Sequence, residues 1–385
     1  MAGIISRGFR GRRRNTDAEI SMTIQGASRP GAPLYDDAPR AYHALLVLSF
    51  GGPEGMAEVM PFLENVTRGR NIPRARLEEV AEHYHHFGGV SPINQQNHAL
   101  IAALEQEFTA HGIALPIYFG NRNWHPLLED TIAQMRADGI RSVLVFVTSA
   151  YSSYSGCRQY REDVMRALDA LGDSDMRFDK IRIFYNHPGF IEPMAKRLRD
   201  ALASIPPDRR DSAEVVFTAH SIPVSMARGC AYERQLREAS RLVADLAGAK
   251  SHRLAWQSRS GPPQVPWLEP DILDELDRLH ASGARDVIVV PIGFISDHLE
   301  VLYDLDVEAH QRAQELGVSM IRVPSIGTDP AFVAMIRELI EERLTETPER
   351  RFLGVLGPSH DVCPINCCQL GERRPAPPVL EPVTA

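Results

Sequence analysis

The chain has 385 residues, 44% of them hydrophobic, and a formal net charge of −8. That length suggests two domains of ~100–200 residues each, and the acidic balance argues against a nucleic-acid partner. No apolar run reaches the ~18 residues of a membrane-spanning helix, and five cysteines do not make a secreted disulfide framework. A soluble, cytoplasmic protein is expected.

Residues 1–40 hold Arg7, Arg10, Arg12, Arg13 and Arg14 without the apolar stretch of a signal peptide. They read as a disordered N-terminal extension, or as upstream sequence if synthesis starts at Met22. Strand-like apolar runs follow at 44–50, 116–119, 142–149 and 181–185, then at 214–219, 253–257, 286–292 and 319–323. Helical periodicity fills the gaps at 55–66, 74–86, 94–110, 126–138, 157–171, 189–204, 226–247, 270–282, 297–316 and 329–346. This alternation predicts an α/β protein with two doubly wound domains, each on a four-stranded parallel sheet. The first domain is expected over 41–180 with 323–346 returning to it, and the second over 181–322. Residues 347–385 form a cysteine-containing tail that should fray. No internal repeat is visible in the sequence.

In such sheets ligands sit beyond the carboxyl ends of the strands. Those ends carry Ser49-Phe-Gly-Gly52, Gly120-Asn121, Thr148-Ser-Ala-Tyr151, His220-Ser221 and Gly293. No dinucleotide fingerprint, P-loop lysine, His-Glu-x-x-His or Gly-x-Ser-x-Gly accompanies them, which disfavours nucleotide, metalloprotease and hydrolase chemistry.

The stretch after the seventh run is the most informative. Asp297, Glu300, Asp304 and Glu308 recur at spacings of three, four and four, so a helix gathers them into one stripe. Leu299, Leu302, Leu305 and Ala309 fall on another face, and no Lys or Arg lies between 296 and 311. Like charges four apart repel, so a single-sign row suits the receipt of a cation or a proton. A histidine, His220, ends the fifth run. His83, His85 and His86 also cluster, but their spacing does not place all three on one helix face.

Cys363, Cys367 and Cys368 offer three thiolates near the end of the chain, and Cys157 is the candidate for a fourth. The pattern alone allows zinc or an iron–sulfur cluster. Cys230 reads as a lone structural thiol.

Taken together, Leu46-Val-Leu-Ser-Phe-Gly-Gly-Pro53, Phe87-Gly-Gly-Val-Ser-Pro-Ile-Asn94, Tyr151-Ser-Ser-Tyr-Ser-Gly-Cys157, Ala219-His-Ser-Ile-Pro223 and Ser296-Asp-His-Leu-Glu-Val-Leu-Tyr-Asp304 resemble the ferrochelatases. The likeness is greatest to the actinobacterial branch that acts on coproporphyrin III, and it spans about residues 42–345. It implies Rossmann-like domains of the chelatase (flavodoxin-like) type with a cleft between them, and insertion of Fe2+ into a porphyrin without a redox step. It implies that His220 accepts pyrrole protons, since imidazole titrates near neutrality. Glu300 is implied as its acidic partner, facing it across the site with the macrocycle in the gap. Asp304 and Glu308 then continue outward as a metal or proton path. Phe50, Ser91, Tyr154, Arg158 and Tyr160 are the expected porphyrin contacts. Phe50 stands where some bacterial relatives have an iron-ligating tyrosine, which leaves it aromatic packing alone. The resemblance further implies a [2Fe–2S] cluster on Cys157, Cys363, Cys367 and Cys368. A monomer, with transient contact to a coprohaem decarboxylase, is expected. The other readings weighed are a protoporphyrin IX ferrochelatase, a cobalt or nickel chelatase, and a haem carrier or iron–sulfur sensor.

Overall fold

The computed structural model describes residues 40–172, 175–364 and 366–370. The expected N-terminal extension, Arg40 apart, and the proline-rich end from 371 lie outside the described residues. Among those described, eight strands form two parallel sheets with identical strand order. The first runs β2 (Ile117–Asn121), β1 (Ala44–Ser49), β3 (Ser142–Val147), β4 (Arg177–Lys180), and the second runs β6 (Arg253–Gln257), β5 (Glu214–His220), β7 (Asp286–Val290), β8 (Ser319–Arg322). The two-sheet α/β architecture is the one the sequence predicts. The shared order reveals a structural repetition that the sequence does not show.

The central strands β1, β3, β5 and β7 are apolar on both faces because helices cover both sides of each sheet. Leu46, Leu48, Val143 and Val145 fill the core on one face of the first sheet, and Val216, Val287 and Val289 fill its counterpart on the second. The remaining faces meet in one continuous core. It runs from Val47 and Phe146 through Phe184, Phe190 and Phe332 to Phe217 and Val290. The two halves are thus joined by apolar packing.

Two predicted elements differ. The fourth strand lies at Arg177–Lys180, not 181–185. Ile181, Ile183, Phe184 and Tyr185 are buried as a connector in the shared core, so their apolar run reflects depth and not sheet pairing. The strand's own polar residues escape an apolar-run search because partners satisfy them: Asp179 accepts from Tyr42 Oη at 2.9 Å and pairs with Arg177. The helix expected over 226–247 is broken into Val224–Ala227 and Tyr232–Ala247. In the break, Gly229 lies so close to the tail that a Cβ would stand 3.2 Å from the Gln369 carbonyl.

The tail is held down as far as it is described. Asn186 receives Leu353 N at 2.8 Å and donates to the Gly357 carbonyl at 2.8 Å, and Arg182 donates to the Arg351 carbonyl at 3.0 Å. Asp361 pairs with Arg350 at 2.7 Å and with the buried Arg343 at 3.5 Å.

Candidate functional site

Parallel neighbours β5 and β7 end at the same sheet edge, where the chain order reverses direction across the sheet. His220 is the last residue of β5 and is paired in register with Gln257 of β6. After β7 the chain turns tightly. Gly293 N donates to the Thr218 carbonyl at 3.0 Å, and a Cβ on Gly293 would lie 2.5 Å from Ala219 Cβ. Only glycine permits that approach. The chain then enters a helix over 299–316, wound wide as a π-helix between Leu302 and Ala309.

This geometry brings His220 and Glu300 together. Nε2 of the imidazole is 3.7 Å from Oε1 of the carboxylate, and each side chain is about one-third exposed (36% and 34%). His220 Nδ1 lies against the Ser221 carbonyl, which assigns the proton to Nδ1 and leaves Nε2 unprotonated and able to accept one. The backbone of His220 is fixed from behind by Tyr232, whose hydroxyl donates to the His220 carbonyl at 3.0 Å. Glu300 Oε1 is buried and has no hydrogen-bond partner. A buried anionic oxygen without a donor is costly, so this atom is suited to a proton or a cation. The phenols of Tyr84 and Tyr232 are pushed up by burial and then by the charge of Glu300. His298 is pulled below the usual histidine range by burial, while Glu300 acts in the opposite sense.

The expectation that a macrocycle lies between His220 and Glu300 does not fit. A ring stacked between two groups needs ~3.5–4 Å on each side, and their facing atoms are 3.7 Å apart in total. They are neighbours on one edge because their strands are neighbours, and they present a joint face.

Asp304 lies one turn beyond Glu300. It accepts from Gln257 Nε2 at 3.2 Å and from the Ser258 hydroxyl. Ser258 holds a left-handed backbone (φ 63°). Burial first, and then the charge of Glu300, push the Asp304 carboxyl up from 3.8 to about 8. Glu308, a further turn out, is exposed and is also raised, by partial burial and then by Asp271. Asp297 leaves the row. Arg322 of β8 pairs with it at 3.0 Å and with Asp306 at 2.6 Å, and Asp297 Oδ1 accepts from Ser325 N at 3.1 Å. The stripe is therefore neutralised at its inner end by an arginine from the adjacent strand. The inward face consists of Val301, Leu305, Ala309 and Ala313, with Leu299 also buried and Leu302 only partly so.

Among the other candidates, Phe50 is 38% exposed and lies edge-on to Phe62, with the Arg122 guanidinium 6.0 Å from its ring centre. Ser91 is buried against Gly52, where an added Cβ would come within 2.7 Å of Ser91 Cβ. Tyr154, Arg158 and Tyr160 are buried with internal partners, so their expected reach to a porphyrin is not what their surroundings support. Tyr154 Oη and Arg158 Nε both donate to Glu162, at 3.0 and 2.7 Å, and Arg158 also donates to the Cys367 carbonyl at 3.2 Å. Tyr160 packs under Arg122, 4.6 Å from its guanidinium, and Arg122 pairs with Asp163. His83 stacks on Tyr303 at 3.8 Å, tying the helix Arg74–His86 to the acidic helix.

The second cluster is the cysteines. Cys157 from the π-turn Tyr154–Arg158 meets Cys363, Cys367 and Cys368 in one pocket. The Cys367 and Cys368 sulfurs are 3.6 Å apart. Hydrogen bonds among the thiols lower Cys363 and Cys367 and raise Cys157 and Cys368, chiefly through their sulfur neighbours. Sequence reasoning missed His360. Its ring nitrogen, with Cys363 and Cys367, lies within 4.8 Å of each partner. The His-x-x-Cys-x-x-x-Cys spacing carried that signal. Cys230 is part-buried and donates to the Met226 carbonyl at 3.3 Å, so it needs no ligand role.

A ferrochelatase family pattern matches residues 42–344. The chain belongs to the ferrochelatase family. It is 54% identical over 347 residues to a ferrochelatase of Rhodopirellula baltica, covering 89% of this chain and 98% of that one. It is 53% identical over 348 residues to a coproporphyrin III ferrochelatase of Nocardia farcinica (87% and 99%). It is 50% identical over 357 residues to the same-named protein of Streptomyces coelicolor (87% and 95%). The match covers both sheets and the acidic helix. As in the rest of the family, the chain is an enzyme of porphyrin metallation. No described helix is long and apolar enough to cross a membrane.

Proposed function

We propose that this enzyme inserts Fe2+ into coproporphyrin III, giving coprohaem for haem biosynthesis. The observation that carries this is the His220–Glu300 pair, with its buried, partnerless carboxylate oxygen at the carboxyl edge of β5 and β7. Metallation exchanges two pyrrole protons for a dication, with no electron transferred. His220 Nε2 takes one pyrrole proton and hands it to Glu300, 3.7 Å away, and once the acidic row has carried it out the second pyrrole proton leaves by the same route. Asp304 is neutral up to about pH 8 and can pass a proton on from Glu300. Glu308, exposed at the outer end, releases it to water. Imidazole and carboxylate also bind ferrous iron reversibly enough to hand it over, whereas thiolates would retain it. The ring of Phe50 offers an apolar contact to the macrocycle. The names of the Nocardia and Streptomyces relatives favour coproporphyrin as the substrate. A cytoplasmic monomer that passes its product to a coprohaem decarboxylase by transient contact is consistent with this chemistry.

Cys157, Cys363, Cys367 and Cys368 are proposed to hold a [2Fe–2S] cluster. The donor set fits, since one sulfur from the turn after β3 and three from the tail converge in one pocket. Such a cluster supplies one-electron chemistry and a tether for the tail. No step of metal insertion requires it.

His220→Ala should lower ferrous insertion by about 10²–10⁴-fold while porphyrin still binds, as read by fluorescence quenching. An undiminished rate would remove the base from the mechanism. Parallel assays should favour coproporphyrin III over protoporphyrin IX, and the reverse preference would correct the substrate. For the cysteines, anaerobically purified enzyme should contain iron and sulfide, and Cys157→Ser should lose both. Zinc without sulfide would refute the cluster.

A further inference from the structure

The chain has three lysines, and one of them, Lys180, is buried (7% exposed) at the end of β4. Its ammonium has one hydrogen bond among the described residues, to the Ile181 carbonyl at 3.2 Å, and no carboxylate at ion-pair distance. Arg161, 6% exposed, likewise has no carboxylate at ion-pair distance among the described residues. Both line the pocket of Cys157, Cys363, Cys367 and Cys368. Of the pocket's other charged groups, Arg158 is matched by Glu162, and the carboxylate of Asp361 is already taken by Arg343 and Arg350. Two buried cations without an anion are costly. Four neutral thiols, or a disulfide, would leave them uncompensated, whereas anionic sulfur would balance them, so the pocket suits an anionic centre.

Resting on the [2Fe–2S] reading above, we propose that Lys180 and Arg161 form a cationic collar that sets the reduction potential of the four-cysteine centre, making it a one-electron redox site. One electron, from an external one-electron reductant such as a reduced iron–sulfur or flavin protein, converts one ferric ion to ferrous. No bond breaks and no proton is required. That electron adds one negative charge to an already dianionic group. The collar's fixed positive charges attract the added charge at short range in a buried site, where Coulomb terms are large. Lys180 and Arg161 are positioning residues here and contribute no ligand atom.

The test uses the full chain, purified anaerobically, with Lys180→Met, Arg161→Met and the charge-retaining Lys180→Arg. Iron and sulfide are assayed first. The midpoint potential is then titrated with dithionite and mediators, followed by visible absorbance and by the paramagnetic signal of the reduced centre. Each Met variant should keep iron and sulfide but accept an electron about tenfold less favourably, a fall of ~59 mV for a one-electron couple. Lys180→Arg should stay near the wild-type potential. Unchanged potentials in both Met variants, with iron and sulfide intact, overturn the collar and leave the cluster reading standing. Loss of the centre from both variants also overturns it, since the cations would then serve assembly and not redox tuning. Zinc without sulfide in the wild type overturns the cluster reading itself, and the collar with it.

Discussion

Asp304→Asn separates the energetic cost of the acidic row from its use. Asn keeps an oxygen for the Gln257 and Ser258 donors and removes the charge. In the folded protein Asp304 titrates at about 8, against 3.8 for the ordinary group. A raised carboxyl binds more protons folded than unfolded between those values. Its contribution is therefore most favourable below pH 4 and is lost as pH rises through 8. Holding the carboxyl at about 8 instead of 3.8, at ~1.4 kcal/mol per tenfold in proton affinity, gives a ceiling near 6 kcal/mol. Burial is the larger cause and the charge of Glu300 the second, and relaxation and water penetration reduce such a ceiling in a real protein, so Asp304→Asn should recover about half, ~3 kcal/mol. Urea unfolding is the assay. Wild type and Asp304→Asn should agree within about 1 kcal/mol at pH 4, and the variant should be more stable by ~3 kcal/mol at pH 8.5. The same variant should insert iron about 10–100-fold more slowly, because an amide cannot exchange a proton as a carboxyl does. Parallel stability curves from pH 4 to 8.5 would show that the charge is held without cost, and the proton path would lose its middle member.

Two further outcomes test the scaffold. Gly293→Ala drives a methyl into Ala219 at the end of β5, so it should destabilise by about 1–3 kcal/mol and lower insertion by displacing His220, seen by thermal denaturation beside activity. A variant of full stability and full rate would mean that the turn has slack. Arg322→Met leaves Asp297 and Asp306 without their cation. It should cost about 1–2 kcal/mol, given the partial exposure of the pair, and the loss should shrink at pH 3, where carboxylates are protonated.

Much of this site is legible along the chain because its residues sit where strands end. His220 closes β5, and Glu300 opens the helix after β7, so the rule that ligands gather at carboxyl edges locates both. Lateral relations are not legible. Nothing in the one-dimensional spacing says that β5 and β7 are neighbours, and that adjacency is why the imidazole and the carboxylate share a face at 3.7 Å and do not oppose each other across a ring. Arg322 neutralises Asp297 from β8, a partner outside the window in which the stripe looked uncompensated. Tyr154, Arg158 and Tyr160 follow β3 as surface-helix residues would, yet Glu162, Arg122 and the returning tail cover them. Lys180 and Arg161 were invisible for the same reason. A buried cation is recognised only by what surrounds it.

The winding of the acidic helix accounts for what four-residue spacing alone does not. On a regular α-helix, residues four apart advance about 40° beyond a full turn, so Glu308 would stand ~80° away from Glu300. Between Leu302 and Ala309 the chain takes the wider π turn, which absorbs that drift. The same widening keeps Val301, Leu305 and Ala309 seated on the second sheet, one residue out of phase with Glu300, Asp304 and Glu308. One row is anchored by apolar burial, and the other is held straight by the anchor. The carboxylates thus tolerate mutual repulsion because the face that fixes their backbone is apolar and fully packed. Removing a carboxylate charge should therefore leave the fold intact, whereas widening or narrowing that turn would misalign both rows at once.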